Sequence, residues 1–224
     1  MRLRSLLLAV LVLISFPVHS SAQGIIYSSN VNAGKRIALS FDDGPHPKLT
    51  EKILDILDQY GIKATFFVIG VNAKNYPDSL REISKRGHEI GNHTYSHNIL
   101  KSMPADKIEK EISDTENQVF DILGIRPNLL RPPCGLYDES LVKIANDKSL
   151  KIVLWAVDTH DWAHNSTMNI VNHVLKKSKD GDIILFHDYV SGEYNTPEAL
   201  KKLIPGLLKQ GYEFVTVSEL LQNT

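Results

Sequence analysis

The chain has 224 residues, 25 basic against 26 acidic side chains, and a formal net charge of −1 at pH 7. A balance this close to neutral argues against nucleic acid as the main partner. The single cysteine, Cys134, rules out an internal disulfide, so stability must come from core packing, helped by any metal the chain holds.

In chain order, the basic start Met1-Arg2-Leu3-Arg4, the apolar run from Ser5 to Val18 and the small residues Ser20-Ser21-Ala22 predict a secretory signal peptide over residues 1–22. The apolar run is shorter than the ~20 residues a membrane span needs. Without these residues the charge becomes −3, since Arg2 and Arg4 go and no acid does. Residues 23–224 read as one domain, with no fixed-period repeat and no long linker. Arg36 to Phe41 reads as a strand. Thr50 to Gln59 reads as a helix, with Ile53, Leu54 and Leu57 on one side. Ala64 to Ile69 is β-branched and aromatic, hence a strand. Pro77 to Arg86 is helical and closed by Gly87; His88 to Gly91 is a short strand leading to His93 and His97. Pro104 to Leu123 is the longest predicted helix, with Gly124 at its end. A strand near Asn128–Arg131, a helix around Asp138–Asp147 and a strand from Lys151 to Val157 follow. Then come a helix from Thr167 to Lys179, a strand from Asp182 to His187, a helix over Thr196–Gln210 and a last strand from Glu213 to Val217. The main loops fall within 70–80, 98–106, 163–168 and 188–197. Such alternation predicts an α/β fold of parallel strands with helices outside, and seven or eight strands in this length fit a closed (β/α) barrel better than an open sheet.

Asp42 and Asp43 are adjacent where the first strand stops, and two neighbouring carboxylates there are costly unless something neutralises them. His93 and His97 are spaced i, i+4, which would put both imidazoles on one face if that turn is helical. One carboxylate and two imidazoles make a three-ligand, zinc-type site with an open position, and the second carboxylate is then free to act as a base. These residues, Arg131, Asp158–Asp161 and His187 all fall at or just after predicted strand ends. In a (β/α) barrel that is the face where active sites assemble.

The full set is Ser-Phe-Asp-Asp-Gly-Pro at 40–45, His-Thr-Tyr-Ser-His at 93–97, Arg-Pro-Pro-Cys-Gly at 131–135, Asp-Thr-His-Asp-Trp at 158–162 and Leu-Phe-His at 185–187. It closely resembles the polysaccharide deacetylases of the NodB-homology type, carbohydrate esterase family 4, with all five family motifs in order. The resemblance implies a distorted (β/α) barrel of about seven parallel strands in a single domain. It implies metal-dependent removal of acetyl groups from amino sugars or, in some members, from acetylated xylan. Carried onto this chain, it makes Asp43, His93 and His97 the metal ligands, Asp42 the general base and Arg131 the residue that orients it. His187 becomes the general acid, oriented by Asp161. The backbone N–H of Cys134 becomes an oxyanion donor, and Pro133, Trp162 and Leu185 contact substrate. Two positions depart from the family pattern: Ser40 where Thr usually opens the motif, and Cys134 where Tyr is frequent. The second puts the groove wall, and hence substrate preference, in question.

The expected function is a secreted or cell-envelope N-deacetylase. It would act on N-acetylglucosamine units of chitin, chito-oligosaccharide or peptidoglycan, use one divalent ion (zinc first, with cobalt, nickel or manganese able to fill the same ligands), and work as a monomer. The main alternative is an acetylxylan esterase with the same metal site. A silent polysaccharide-binding protein would have lost Asp42 or His187, and a zinc peptidase would carry His-Glu-x-x-His, which is absent here. Asp158 reads as a cap of the following turn, and Trp162 as a pocket wall rather than core.

Overall fold

The structure is a computed structural model and describes residues 26–189, 191–192 and 194–222. The predicted signal peptide lies outside them. The strands are Ile26–Tyr27 (β1), Arg36–Asp42 (β2), Thr65–Val68 (β3), Glu89–Asn92 (β4), Leu129–Leu130 (β5), Lys151–Val153 (β6), Val157–Asp158 (β7), Ile183–His187 (β8) and Glu213–Phe214 (β9). The helices are Leu49–Gln59 (α1), Gly70–Asn75 (α2), Pro77–Lys85 (α3), Ala105–Leu123 (α4), Glu139–Asp147 (α5), Thr167–Lys177 (α6), Thr196–Lys209 (α7) and Val217–Leu220 (α8).

All named strand pairs are parallel, in the order β1-β6-β5-β4-β3-β2-β8-β7, with β9 beside the start of β2. The sheet curls until one segment, residues 151–158, serves both ends: β6 pairs with β5, and β7 pairs with β8. This makes a distorted barrel in a single domain, as expected, with one extra short strand at β1. The predicted single strand from Lys151 to Val157 is broken at Leu154–Ala156, because its two halves have different neighbours. Leu154 N–H donates to the Tyr27 carbonyl (2.6 Å) and Ala156 N–H to that of Ile183 (2.9 Å).

Period-2 alternation along β2 sorts its side chains. Leu39 and Phe41 point outward to α1, α6 and α7, where Phe41 stacks on Phe66 (4.9 Å between centroids) and Phe186 (5.7 Å). Ala38, Ser40 and Asp42 therefore face the barrel interior, running from apolar at the bottom to charged at the top. The same rule turns Ile183, Leu185 and His187 of β8 inward, and the register sets Asp42 beside His187.

Two helices escaped the sequence reading. The α2 segment lacks an apolar period and is held from outside, Gly70 and Val71 N–H donating to the Thr94 and Tyr95 carbonyls (2.9 Å each). The predicted strand Glu213–Val217 stops at Phe214, because Thr216 and Glu219 form a capping box that starts α8. Elsewhere the punctuation matches the reading: Gly124 ends α4 in the left-handed region (φ 72°), and Asp138 caps α5 by accepting from Leu141 N–H (3.0 Å).

Candidate active site

Asp42 ends β2 with its carboxylate buried and turned inward. Arg131, immediately after β5, crosses the interior to meet it: Nη1 donates to Asp42 Oδ1 (2.7 Å) and to Ser40 Oγ (2.9 Å). Nε and Nη2 donate to the carbonyls of Val153 (3.2 Å) and Leu154 (3.1 Å), and the guanidinium lies over the Phe67 ring at 4.0 Å. A fully buried arginine is tolerable only when its donors are satisfied in this way, and the pair fixes the rotamer of Asp42.

The chain turns sharply at Asp43, which is left-handed (φ 77°) with its carbonyl accepting from Asn72 Nδ2 (2.7 Å). Gly44 follows because nothing larger fits: a β-carbon there would lie 2.0 Å from Asp188 Oδ2. Asp188 braces this turn, accepting from Gly44 N–H (2.9 Å) and Thr50 Oγ1 (2.5 Å). Its burial raises its pKa to about 7.

His93 follows β4 and is buried. Its Nδ1 lies 2.7 Å from the Arg131 carbonyl, which can only accept, so Nδ1 carries a proton and Nε2 is the atom left for a metal; burial lowers this ring's pKa, but Asp42 and Asp43 outweigh it and hold it above the usual value. The turn through His93 and His97 is not helical, so the condition for a shared helix face is not met. The segment is an irregular loop with Thr94 (φ 67°) and His97 (φ 59°) both left-handed, and tertiary contacts bring the rings to 4.9 Å.

Asp43, His93 and His97 form a group whose donor atoms all lie within 4.8 Å of one another. His93 Nε2 is 3.4 Å and His97 Nε2 3.3 Å from Asp43 Oδ1, a buried oxygen without a hydrogen bond. Tetrahedral ligands at zinc bond lengths sit roughly 3.3 Å apart, so the spacing and the orphaned oxygen both fit a divalent ion. Burial pushes the Asp43 carboxyl up, but the three facing histidines outweigh it and leave it below its usual value. His97 is lowered by burial and by the neighbouring His93.

On the neighbouring strand, His187 ends β8 beside Asp42. Its Nδ1 donates to Asp161 Oδ1 (2.8 Å) and its backbone N–H to Oδ2 (2.9 Å). Asp161, almost wholly buried, also accepts from Thr196 Oγ1 (2.7 Å) and Trp162 N–H (3.0 Å). Burial alone would lower the His187 pKa, but Asp161 reverses this and lifts it to about 9, which keeps the ring protonated at neutral pH.

A cavity of about 290 Å³ joins these parts, lined by Asp42, Asp43, His93, His97, Cys134, Trp155, Asp158, Trp162, Leu185 and His187. Cys134 is exposed and left-handed (φ 58°) in a 3-10 turn over 133–135; Pro133, Arg131 and Asp161 sit buried behind the lining. Trp162 stands half exposed at the rim. Asp158 Oδ1 accepts from His160 N–H (2.8 Å), capping its turn while bordering the cavity. Sequence reasoning missed Trp155, which lay inside an apolar run read as strand, and Thr196, whose hydroxyl matters only through a partner 35 residues away.

A family model described as polysaccharide deacetylase matches residues 29–153. A peptidoglycan-N-acetylglucosamine deacetylase of Bacillus cereus is 44% identical over 193 residues, spanning 85% of this chain and 90% of the relative. The crystal structure of a peptidoglycan N-acetylglucosamine deacetylase bound to an N-hydroxybenzamide superposes with a TM-score of 0.86 at 39% identity, covering 90% of this chain and 94% of that one. A family 4 acetyl xylan esterase from Clostridium thermocellum, solved with a cobalt ion, gives a TM-score of 0.76 at 36% identity over 82% of this chain and 89% of its own. The chain belongs to the polysaccharide deacetylase family, the NodB-homology hydrolases of carbohydrate esterase family 4.

Proposed function

We propose that this chain is a metal-dependent N-deacetylase that hydrolyses the acetamide of N-acetylglucosamine units in a peptidoglycan-type glycan, releasing acetate and leaving a free amine. The observation that carries it is a buried carboxylate, Asp42, and an Asp161-paired histidine, His187, lining one cavity with a three-donor Asp-His-His site. The cell-wall substrate is supported by the peptidoglycan deacetylases among its relatives. Export by residues 1–22 is supported by their basic-apolar-small pattern. No helix among the described residues is long and apolar enough to cross a membrane.

Asp43, His93 and His97 would hold the ion. When bound, it supplies an acidified water and polarises the amide carbonyl. Asp42, kept in place by Arg131, takes the water proton as oxygen adds to the acetyl carbon. The Cys134 N–H donates to the developing oxyanion. His187, held by Asp161, gives its proton to the glycosamine nitrogen as the C–N bond breaks, so that amine rather than amide anion leaves. Trp162 and Leu185 wall the acetyl group, with Pro133 shaping the turn behind.

The acetyl xylan esterase of similar fold favours a second reading, ester hydrolysis at the same site. Acetate release from N-acetylglucosamine oligomer, peptidoglycan and acetylated xylan, assayed side by side, separates the two. The amide substrates should be turned over, and release from xylan alone would reverse the assignment.

A further inference from the structure

His93 and His97 are held in different ways. His93 is anchored at the end of a sheet strand and by the Arg131 carbonyl. Among the described residues no comparable hydrogen bond fixes the His97 ring, which is over a third exposed, so its placement depends on the backbone that carries it. That backbone is left-handed at both ends, Thr94 and His97, a conformation side-chain-bearing residues rarely adopt and that something must hold.

The holder is a carboxylate on α4. Glu111 Oε2 accepts from the N–H groups of Tyr95 (3.0 Å) and Ser96 (2.9 Å). Its Oε1 accepts from Ser96 Oγ (2.5 Å) and, at 3.4 Å, from Asn98 Nδ2, which also donates to Ser96 Oγ (2.7 Å). One side chain thus gathers donors from two of the three residues between the histidines and from the residue after the second. Thr94 and Tyr95 are tied on their other side by their carbonyls to α2. Glu111 does not line the cavity, and none of the five motifs contains it.

We propose that Glu111 is a positioning residue that sets the metal affinity of the site by holding the 94–97 loop in the conformation that presents His97. This rests on the metal-site reading above. Without the carboxylate, two adjacent N–H groups lose their acceptor, the left-handed turns lose their restraint, and His97 must be reordered at the moment the ion binds. Loss of an outer partner of a ligand typically weakens metal binding about 10–100-fold.

The test is the zinc dissociation constant, measured by competition with a chromophoric chelator, for the purified wild type, Glu111→Ala, Ser96→Ala and His97→Ala, with metal-free melting temperatures alongside. Glu111→Ala removes the acceptor and should weaken zinc binding at least about tenfold while the metal-free protein still melts cooperatively, and Ser96→Ala should weaken it less. Activity of Glu111→Ala should recover at saturating zinc. Wild-type zinc affinity in Glu111→Ala overturns the proposal. If Glu111→Ala does not fold, Ser96→Ala decides, and unchanged zinc affinity there counts against it. Absence of zinc binding by the wild type, or wild-type affinity in His97→Ala, instead overturns the metal-site reading itself.

Discussion

Asp42→Asn should cut turnover by about 10²–10⁴-fold while the protein still binds zinc. The three proposed ligands, Asp43, His93 and His97, remain intact in this variant. What is lost is the proposed acceptor of the water proton, since an amide oxygen is too weak a base. The change has a second, structural effect. Arg131 is wholly buried and its closest charge partner is Asp42 at 2.7 Å, so neutralising Asp42 leaves an uncompensated cation inside the barrel. We expect a stability loss on the order of 3 kcal/mol, read as a lower melting temperature, and activity must therefore be compared well below that transition. Zinc affinity within a few-fold of the wild type would fit the assigned roles. Loss of zinc from Asp42→Asn would mean that the roles of the two adjacent aspartates are exchanged.

The second large effect separates bond types. His187→Ala should slow amide hydrolysis about 10³-fold but hydrolysis of an acetate ester only about tenfold, because an alcohol leaves with far less help than an amine. The surroundings of the ring suit the proposed acid role: Asp161, itself held by Thr196 and two backbone N–H groups, lifts its pKa to about 9. The raised pKa means that the protonated, competent form is complete at neutral pH and disappears as pH rises through that value. The amide rate of the wild type should therefore fall on the alkaline side, near pH 9 or below it when a cation occupies the neighbouring site, and His187→Ala should lack that limb. Equal losses on amide and ester would remove His187 from the leaving-group step.

The site was legible where its chemistry sits in short contiguous stretches at strand ends. Asp42-Asp43, His93, Arg131, Asp161 and His187 do converge on one cavity wall or directly behind it, because parallel strands with outer helices deliver all their C-terminal ends to one face. The i, i+4 spacing of the histidines was a weaker guide. A helix would have satisfied it locally, but the chain uses left-handed residues and a distant carboxylate, and neither is written in the spacing. Trp155 was hidden for a related reason: its apolar run looks like one strand, and only the change of partner between β6 and β7 turns the ring to the cavity. Gly44 was visible as part of a motif, but its cause, the buried Asp188 against it, comes from the other end of the sequence. The Thr216–Glu219 box was readable and overlooked, because β-branched residues beside it favoured a strand.

The most direct measurement is acetate release from N-acetylglucosamine pentamer by the purified protein, stripped of metal with a chelator and then given back one zinc ion per chain. Release that vanishes on stripping and returns with zinc is the predicted result. Undiminished release by the metal-free protein, or none from the zinc-loaded protein on this oligomer and on peptidoglycan alike, would contradict a metal-dependent amide hydrolase built on Asp42, Asp43, His93, His97 and His187.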